Sequence, residues 1–125
     1  MHTREEKLEA FGRLIDVLDT LRVKCPWDRK QTNESLRPNT IEEVYELCDA
    51  LVKNDQKNIC KELGDVLLHV VFYAKIGSET GAFDIKDVCD KEDVQYIRVL
   101  REETVPKAAY EDGASLDDRL VYTDT

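Results

Sequence analysis

Between Arg4 and Arg22 the chain places Leu8, Phe11, Leu14, Ile15, Leu18 and Leu21 three, four and one residues apart, with charged residues in the gaps. That spacing draws one apolar stripe along a helix and predicts a first helix over residues 4–22. The next stretch, VKCPWDRKQTNESLRPNT, breaks the period. Pro26 and Pro38 each disfavour helix at the residue before them, and Asn and Thr supply turn chemistry, so it reads as a structured loop with at most a short helical turn near Thr32 to Leu36. Thr40 is the N-cap candidate of a second helix reaching about Lys53. Asp55 caps a third, in which Ile59, Leu63, Val66, Leu67, Val70, Val71 and Ala74 form a wide apolar face and Gly77 and Gly81 mark a fraying end. This most hydrophobic segment belongs at the centre of a bundle. A fourth helix follows Asp84, with Ile85, Val88, Ile97 and Leu100 as its apolar contacts.

Composition agrees with this pattern. A chain of 125 residues that is 42% hydrophobic and 36% charged, with five Gly and three Pro, suits an all-α domain: an antiparallel bundle of about four helices. Residues 1–110 form the expected domain, and the aperiodic, acid-rich residues 111–125 the expected tail. A net charge of -9 argues against nucleic acid and acidic membrane surfaces as partners. A small anionic ligand is compatible only where a metal ion or local Lys and Arg offset the repulsion. Cys25, Cys48, Cys60 and Cys89 form no C-x-x-C pair or zinc-type cluster and read as reduced thiols. With no apolar leader and no apolar run of membrane-spanning length, the expected compartment is the cytoplasm.

The acids of the second and third helices stand apart from this frame. At about 100° per residue, taking Glu42 as zero places Glu43 near about 100°, inside the arc of Leu47 and Ala50, and Glu46 near about 40°, at its edge. On the third helix Glu62 and Asp65 border the face of Ile59, Val66 and Val70, with His69 almost directly over Glu62. Carboxylates crowded at a core edge repel one another unless a cation compensates them. Glu43 and Glu46, three residues apart, and Glu62 and Asp65, also three apart, can offer four hard oxygen ligands, the donor set of Mg²⁺ or Mn²⁺ rather than of zinc. Two bland readings compete: Thr40-x-x-Glu43 is also a capping box, and Glu62 has Lys57 and Lys61 as candidate surface partners. A di-iron site is disfavoured, since neither His2 nor His69 completes a Glu-x-x-His pair.

The stretches CPWDRKQTNESLRPNTIEEVYELCDAL and KELGDVLLHVVFYAKIGSETGAFDIKDV closely resemble the MazG family of nucleoside triphosphate pyrophosphohydrolases, over roughly residues 8–90. The family's pattern, E-E-x-x-E followed after a spacer by E-x-x-D, is met by Glu42, Glu43, Glu46, Glu62 and Asp65. The resemblance implies a helical bundle completed as a homodimer or tetramer, Mg²⁺ (or Mn²⁺) held by Glu43, Glu46, Glu62 and Asp65, and hydrolysis of an NTP or dNTP to monophosphate and pyrophosphate. Glu42 stands beside this strip of acids rather than within the apolar arc, which suits it either to orient or deprotonate the attacking water or to form a surface ion pair. Trp27 is then placed near the base, and Lys30 or Arg37 near phosphate, against a competing reading in which Trp27 plugs the end of the bundle. After Asp90 the chain departs from the basic helix usual in the family, and Arg98, Arg101 and Lys107 are the available replacements. The rival expectations are a nucleotide- or metal-binding relative without turnover, and a structural helical dimer whose acids are caps and surface pairs.

Overall fold

The computed structural model describes residues 1–91, and these are helical without strands. Helix α1 spans Arg4–Lys24, α2 Pro26–Lys30, α3 Asn33–Val52 and α4 Gln56–Glu79. Residues 85–91 are helical as well. The chain divides into two compact units, Met1–Ile85 and Lys86–Thr125, and all that follows concerns the first. The expected contacts Ile97 and Leu100, the basic residues Arg98, Arg101 and Lys107, and the acidic tail lie outside the described residues.

α1 forms as its stripe predicts, opened by a reciprocal capping box between Thr3 and Glu6. The segment after it departs from expectation. Rather than a loop followed by a helix from Thr40, it holds the short α2 and then an α3 that starts seven residues early, at Asn33. Thr32, not Thr40, is the N-cap: its hydroxyl accepts from the Ser35 amide at 3.1 Å, and the Ser35 hydroxyl accepts from the Thr32 amide at 2.7 Å. Pro38 therefore sits inside the helix, at a cost of about 3 kcal/mol for the lost amide and the ring clash. Leu36 decides the balance. It is 1% exposed in the core, and burying a leucine is worth about 1.5–3 kcal/mol. The cap adds about 1 kcal/mol, so together they offset the proline.

The link from α3 to α4 is tight. Asn54 takes a left-handed φ of 52°, the Asp55 amide reaches the Ala50 carbonyl at 3.1 Å and the Asn54 amide the Leu51 carbonyl at 3.1 Å. This closes α3 with a Schellman motif on an Asn. Asp55 then caps α4 through the Asn58 amide, as the sequence predicts. Only three residues separate the helices, and the contacts of Thr40 with Tyr73 and His69 at one end and the meeting of Glu43 with Glu62 and Asp65 further along fix them as antiparallel.

The core is narrower than the apolar stripes suggest. Leu18, Leu36, Val71 and Phe72 form it, with Phe11, Leu14, Ile15, Leu68 and Ile76 packed around them. Of the expected α4 face only Val71 and Ala74 are buried, whereas Leu63, Leu67 and Val70 are exposed, as are Ile41, Val44 and Tyr45 on α3. Gly81, with φ +74°, ends α4 as expected. Gly77 does not mark a fraying end: it is buried, and a Cβ there would lie 2.7–2.9 Å from the Phe83 ring, so the glycine is the seat on which Phe83 packs. Arg22 ties the ends together. Its guanidinium donates to both Glu79 carboxylate oxygens, at 2.8 and 2.9 Å, and to the carbonyls of Asp28 and Gln31. No helix among the described residues is long and apolar enough to cross a membrane.

Candidate metal centre

Because α3 begins at Asn33, Glu43 lies well inside the helix rather than in its first turn. The capping reading therefore fails: Thr40 spends its hydroxyl elsewhere, and Glu43 is free to face α4. There it meets Glu62 and Asp65, and one carboxylate oxygen from each of these three residues lies within 4.8 Å of the others. Glu62 is only 7% exposed. Oε2 of Glu43 and Oε2 of Glu62 are both buried and have no hydrogen-bond partner. Buried carboxylate oxygens left without a donor, one on half-buried Glu43 and one on buried Glu62, are costly. Burial raises the Glu43 pKa, and the charges of Asp65 and Glu46 raise it further. The remedies open to such a pair are a shared proton or a cation.

The remaining oxygens are partly compensated. Lys61 Nζ sits 3.2 Å from Glu62 Oε1 and 3.0 Å from Asp65 Oδ2. The surface-pair reading thus holds for the solvent side of Glu62 and fails for its buried side. Glu46 lies outside the tight group. It lines an adjoining cavity of about 420 Å³ with Asp49, Lys53, Asp55, Asn58, Lys61 and Glu62. Its pKa is raised by burial first and then by the charge of Glu62.

The donor set is hard oxygen, and its two orphaned buried oxygens are what a divalent cation of the Mg²⁺ type would satisfy. The residues present fit such an ion. Glu42 is exposed on α3. Trp27 is 53% exposed on α2, so it does not plug the bundle's end. Lys30 and Arg37 are exposed. No hydrogen bond or ion pair of the described residues links Trp27, Lys30 or Arg37 to the acids.

One polar node escapes sequence reading. Thr40 Oγ1 is hydrogen-bonded to the Leu36 carbonyl at 3.1 Å, to His69 Nδ1 at 2.6 Å and to the Tyr73 hydroxyl. A threonine has one proton to give and two lone pairs. Since a carbonyl only accepts, Thr40 donates to Leu36 while His69 Nδ1 and Tyr73 donate to Thr40. Proton counting thus assigns the Nδ1–H tautomer to His69 and leaves Nε2 as a lone pair when the ring is neutral. Burial lowers the His69 pKa, opposed by the charge of Asp65. The node lies one turn from the acids along both helices, which locks the α3/α4 seam beside them. The sequence signal was the i, i+4 step from His69 to Tyr73. Its partner, 29 and 33 residues away, was not legible.

The sequence model of the MazG nucleotide pyrophosphohydrolase domain matches residues 31–104. The chain belongs to this family. The matched span contains all five acids of the E-E-x-x-E and E-x-x-D pattern, starts after the C-P-W-D loop and continues past Asp90. Among curated relatives, the nucleoside triphosphate pyrophosphohydrolase/pyrophosphatase MazG of Thermotoga maritima is 44% identical over 107 residues, covering 84% of this chain and 39% of the relative. The nucleoside triphosphate pyrophosphohydrolase of Escherichia coli K12 is 44% identical over 85 residues, 66% of this chain and 32% of its own. That of Mycolicibacterium smegmatis is 39% identical over 113 residues, 86% of this chain and 33% of its own. This MazG domain therefore spans 39% or less of the length of each of these three relatives.

Proposed function

We propose that this domain hydrolyses nucleoside triphosphates, NTP or dNTP, to the monophosphate and pyrophosphate, with Mg²⁺ (or Mn²⁺) held by Glu43, Glu62 and Asp65 and completed by Glu46. The observation that carries the reading is the convergence of Glu43, Glu62 and Asp65 within 4.8 Å, two of which also carry a buried oxygen without a hydrogen-bond partner. When bound, the ion would hold triphosphate oxygens and offset the charge that develops on the pyrophosphate leaving group. The names of the relatives support the same reaction class. In this reading Glu42, exposed beside the cluster, orients or deprotonates the attacking water. Trp27, with its ring accessible, lies against the base, and Lys30 or Arg37 approaches phosphate.

The exposed stripe of Ile41, Val44, Tyr45, Leu63, Leu67 and Val70 supports a homodimer in which a second copy covers it. Light scattering on the purified protein tests that assembly, and a monomer at micromolar concentration would remove it. The four unpaired thiols suit a reducing, cytoplasmic setting.

The deciding experiment is a panel of NTPs and dNTPs assayed for pyrophosphate and orthophosphate with Mg²⁺ and with EDTA, for the parent and Glu43→Gln. Metal-dependent pyrophosphate release that is lost in the variant is expected. Orthophosphate as the product, or an unchanged rate in the variant, would overturn the assignment. Nucleotide binding without any product would select the reading of a binding relative without turnover.

A further inference from the structure

We infer that Lys61 is a displaceable counter-ion of the acidic cluster: its ammonium lies against Glu62 and Asp65 and competes directly with a divalent ion for those carboxylates. The inference rests on the metal reading above and adds to it a residue that lies outside the five-acid pattern.

Lys61 touches two of the three carboxylates that converge, at 3.2 Å on Glu62 and 3.0 Å on Asp65. It does not reach the third, and the buried Oε2 atoms of Glu43 and Glu62 stay unpartnered. The protein thus supplies a cation to one side of the cluster, through Lys61, and no hydrogen-bond donor to its two buried oxygens. A divalent ion that satisfies those oxygens would bring two positive charges next to a third. The lysine can yield at little cost. Its side chain is 63% exposed, and exposed pairs of this kind are worth about 0–1 kcal/mol each. It also has somewhere to go, since it lines the open cavity alongside Asp49 and Asp55. Lys61 thereby offsets part of the repulsion between Glu62 and Asp65, and the same contacts weaken metal affinity.

Both consequences are measurable without turnover. Calorimetric Mg²⁺ and Mn²⁺ titrations, and thermal melts in EDTA and in saturating metal, are run on the parent, Lys61→Met and Lys53→Met. Lys53 lines the same cavity but pairs with Asp49, so its variant measures what losing one nearby positive charge does by itself. Lys61→Met is expected to tighten the metal Kd by roughly threefold to tenfold, clearly more than Lys53→Met, with a gap that narrows as ionic strength rises. Its melting temperature should fall in EDTA and rejoin the parent's at saturating metal, because the contact it removes exists only in the metal-free state. A Kd for Lys61→Met equal to that of the parent or of Lys53→Met overturns the counter-ion role while leaving the metal centre standing. A parent that binds neither ion overturns both.

Discussion

Glu62→Gln is expected to make the metal-free protein more stable and the metal-loaded protein less so. In the parent, Glu62 is 7% exposed with Oε2 unpartnered, and Glu43, which converges with it, carries an equally unpartnered Oε2. An orphaned buried polar atom costs about 1–3 kcal/mol, and more when charged. The glutamine amide removes one charge and can donate to the Glu43 oxygen, relieving both orphans. Against this stands the loss of the Lys61 contact, worth about 0–1 kcal/mol for so exposed a lysine. The net gain in EDTA is about 1–2 kcal/mol, and for a domain of this size each kcal/mol shifts the melting temperature by about 4–8 °C. Saturating metal reverses the order: an ion at a hundredfold excess over its Kd stabilises the parent by about 2.7 kcal/mol, and the variant has lost a ligand. Melts in EDTA and in Mg²⁺ should therefore cross. A variant that melts below the parent in EDTA, or that gains as much from Mg²⁺ as the parent does, refutes the reasoning.

Gly77→Ala should destabilise by about 1–3 kcal/mol, because its Cβ would meet the Phe83 ring at 2.7–2.9 Å; pairing it with Phe83→Leu should recover part of the loss in a chemical denaturation series. Arg22→Met should cost about 2–3 kcal/mol, since it removes charge-assisted bonds to Glu79 and strands the carbonyls of Asp28 and Gln31; an unchanged denaturation midpoint would show that Arg22 does not hold α1, α2 and α4 together. Two opposed pH effects follow from the carboxyls. Glu43 and Glu46 have folded pKa values raised by burial and by neighbouring acids, so they favour the fold when protonated, and their contribution is lost as pH rises through those raised values. Glu79, held low by its bond to Arg22, contributes above the ordinary carboxylate range and loses that contribution as pH falls. In EDTA, Glu43→Gln with Glu46→Gln should thus remove the gain on mild acidification and leave only the acid-side loss, and identical melting profiles for variant and parent would contradict the raised values.

What the sequence revealed, and what it hid, divides along one physical line. The stripe of α1 and the Asp55 cap were legible because each depends on residues within one or two turns of each other, as does the spacing of the acids, whereas the convergence of Glu43, Glu62 and Asp65 without Glu46 belongs to the fold. The start of α3 was not legible. Local rules stop a helix before Pro38, but Leu36 gains from burial against residues of α1 and α4, and that gain is visible only in the fold. The same error produced the ambiguity of Glu43: with Thr40 taken as a cap, the acid sits in a first turn, and with Thr32 as the cap it sits in mid-helix. Gly77 reads locally as a fraying end because the residue it admits, Phe83, packs on it only after the chain has turned back. The α4 stripe reads as core throughout, yet Leu63, Leu67 and Val70 lie exposed while Phe72 is buried. Periodicity locates an apolar face without saying what covers it. The residues given to the nucleotide, Trp27, Lys30 and Arg37, rest on resemblance, and only their accessibility is a matter of structure.

The candidate centre depends on register more than on any single acid. Its carboxylate oxygens fall within 4.8 Å of one another, whereas sliding one helix past the other by a turn moves a side chain by about 5.4 Å, enough to empty the group. Two devices oppose that slip, one at each side of the acids. The turn of Asn54 and Asp55 leaves too few residues between α3 and α4 for the helices to shift independently, and it depends on a left-handed φ that Asn tolerates better than most residues. Beyond the acids, the Thr40 hydroxyl is hydrogen-bonded to both His69 and Tyr73 of α4 and to the Leu36 carbonyl of its own helix, contacts that a one-turn slip would break. Neither device adds a ligand. Between them they hold Glu43 beside Glu62 and Asp65 despite a mutual repulsion that Lys61 only partly relieves.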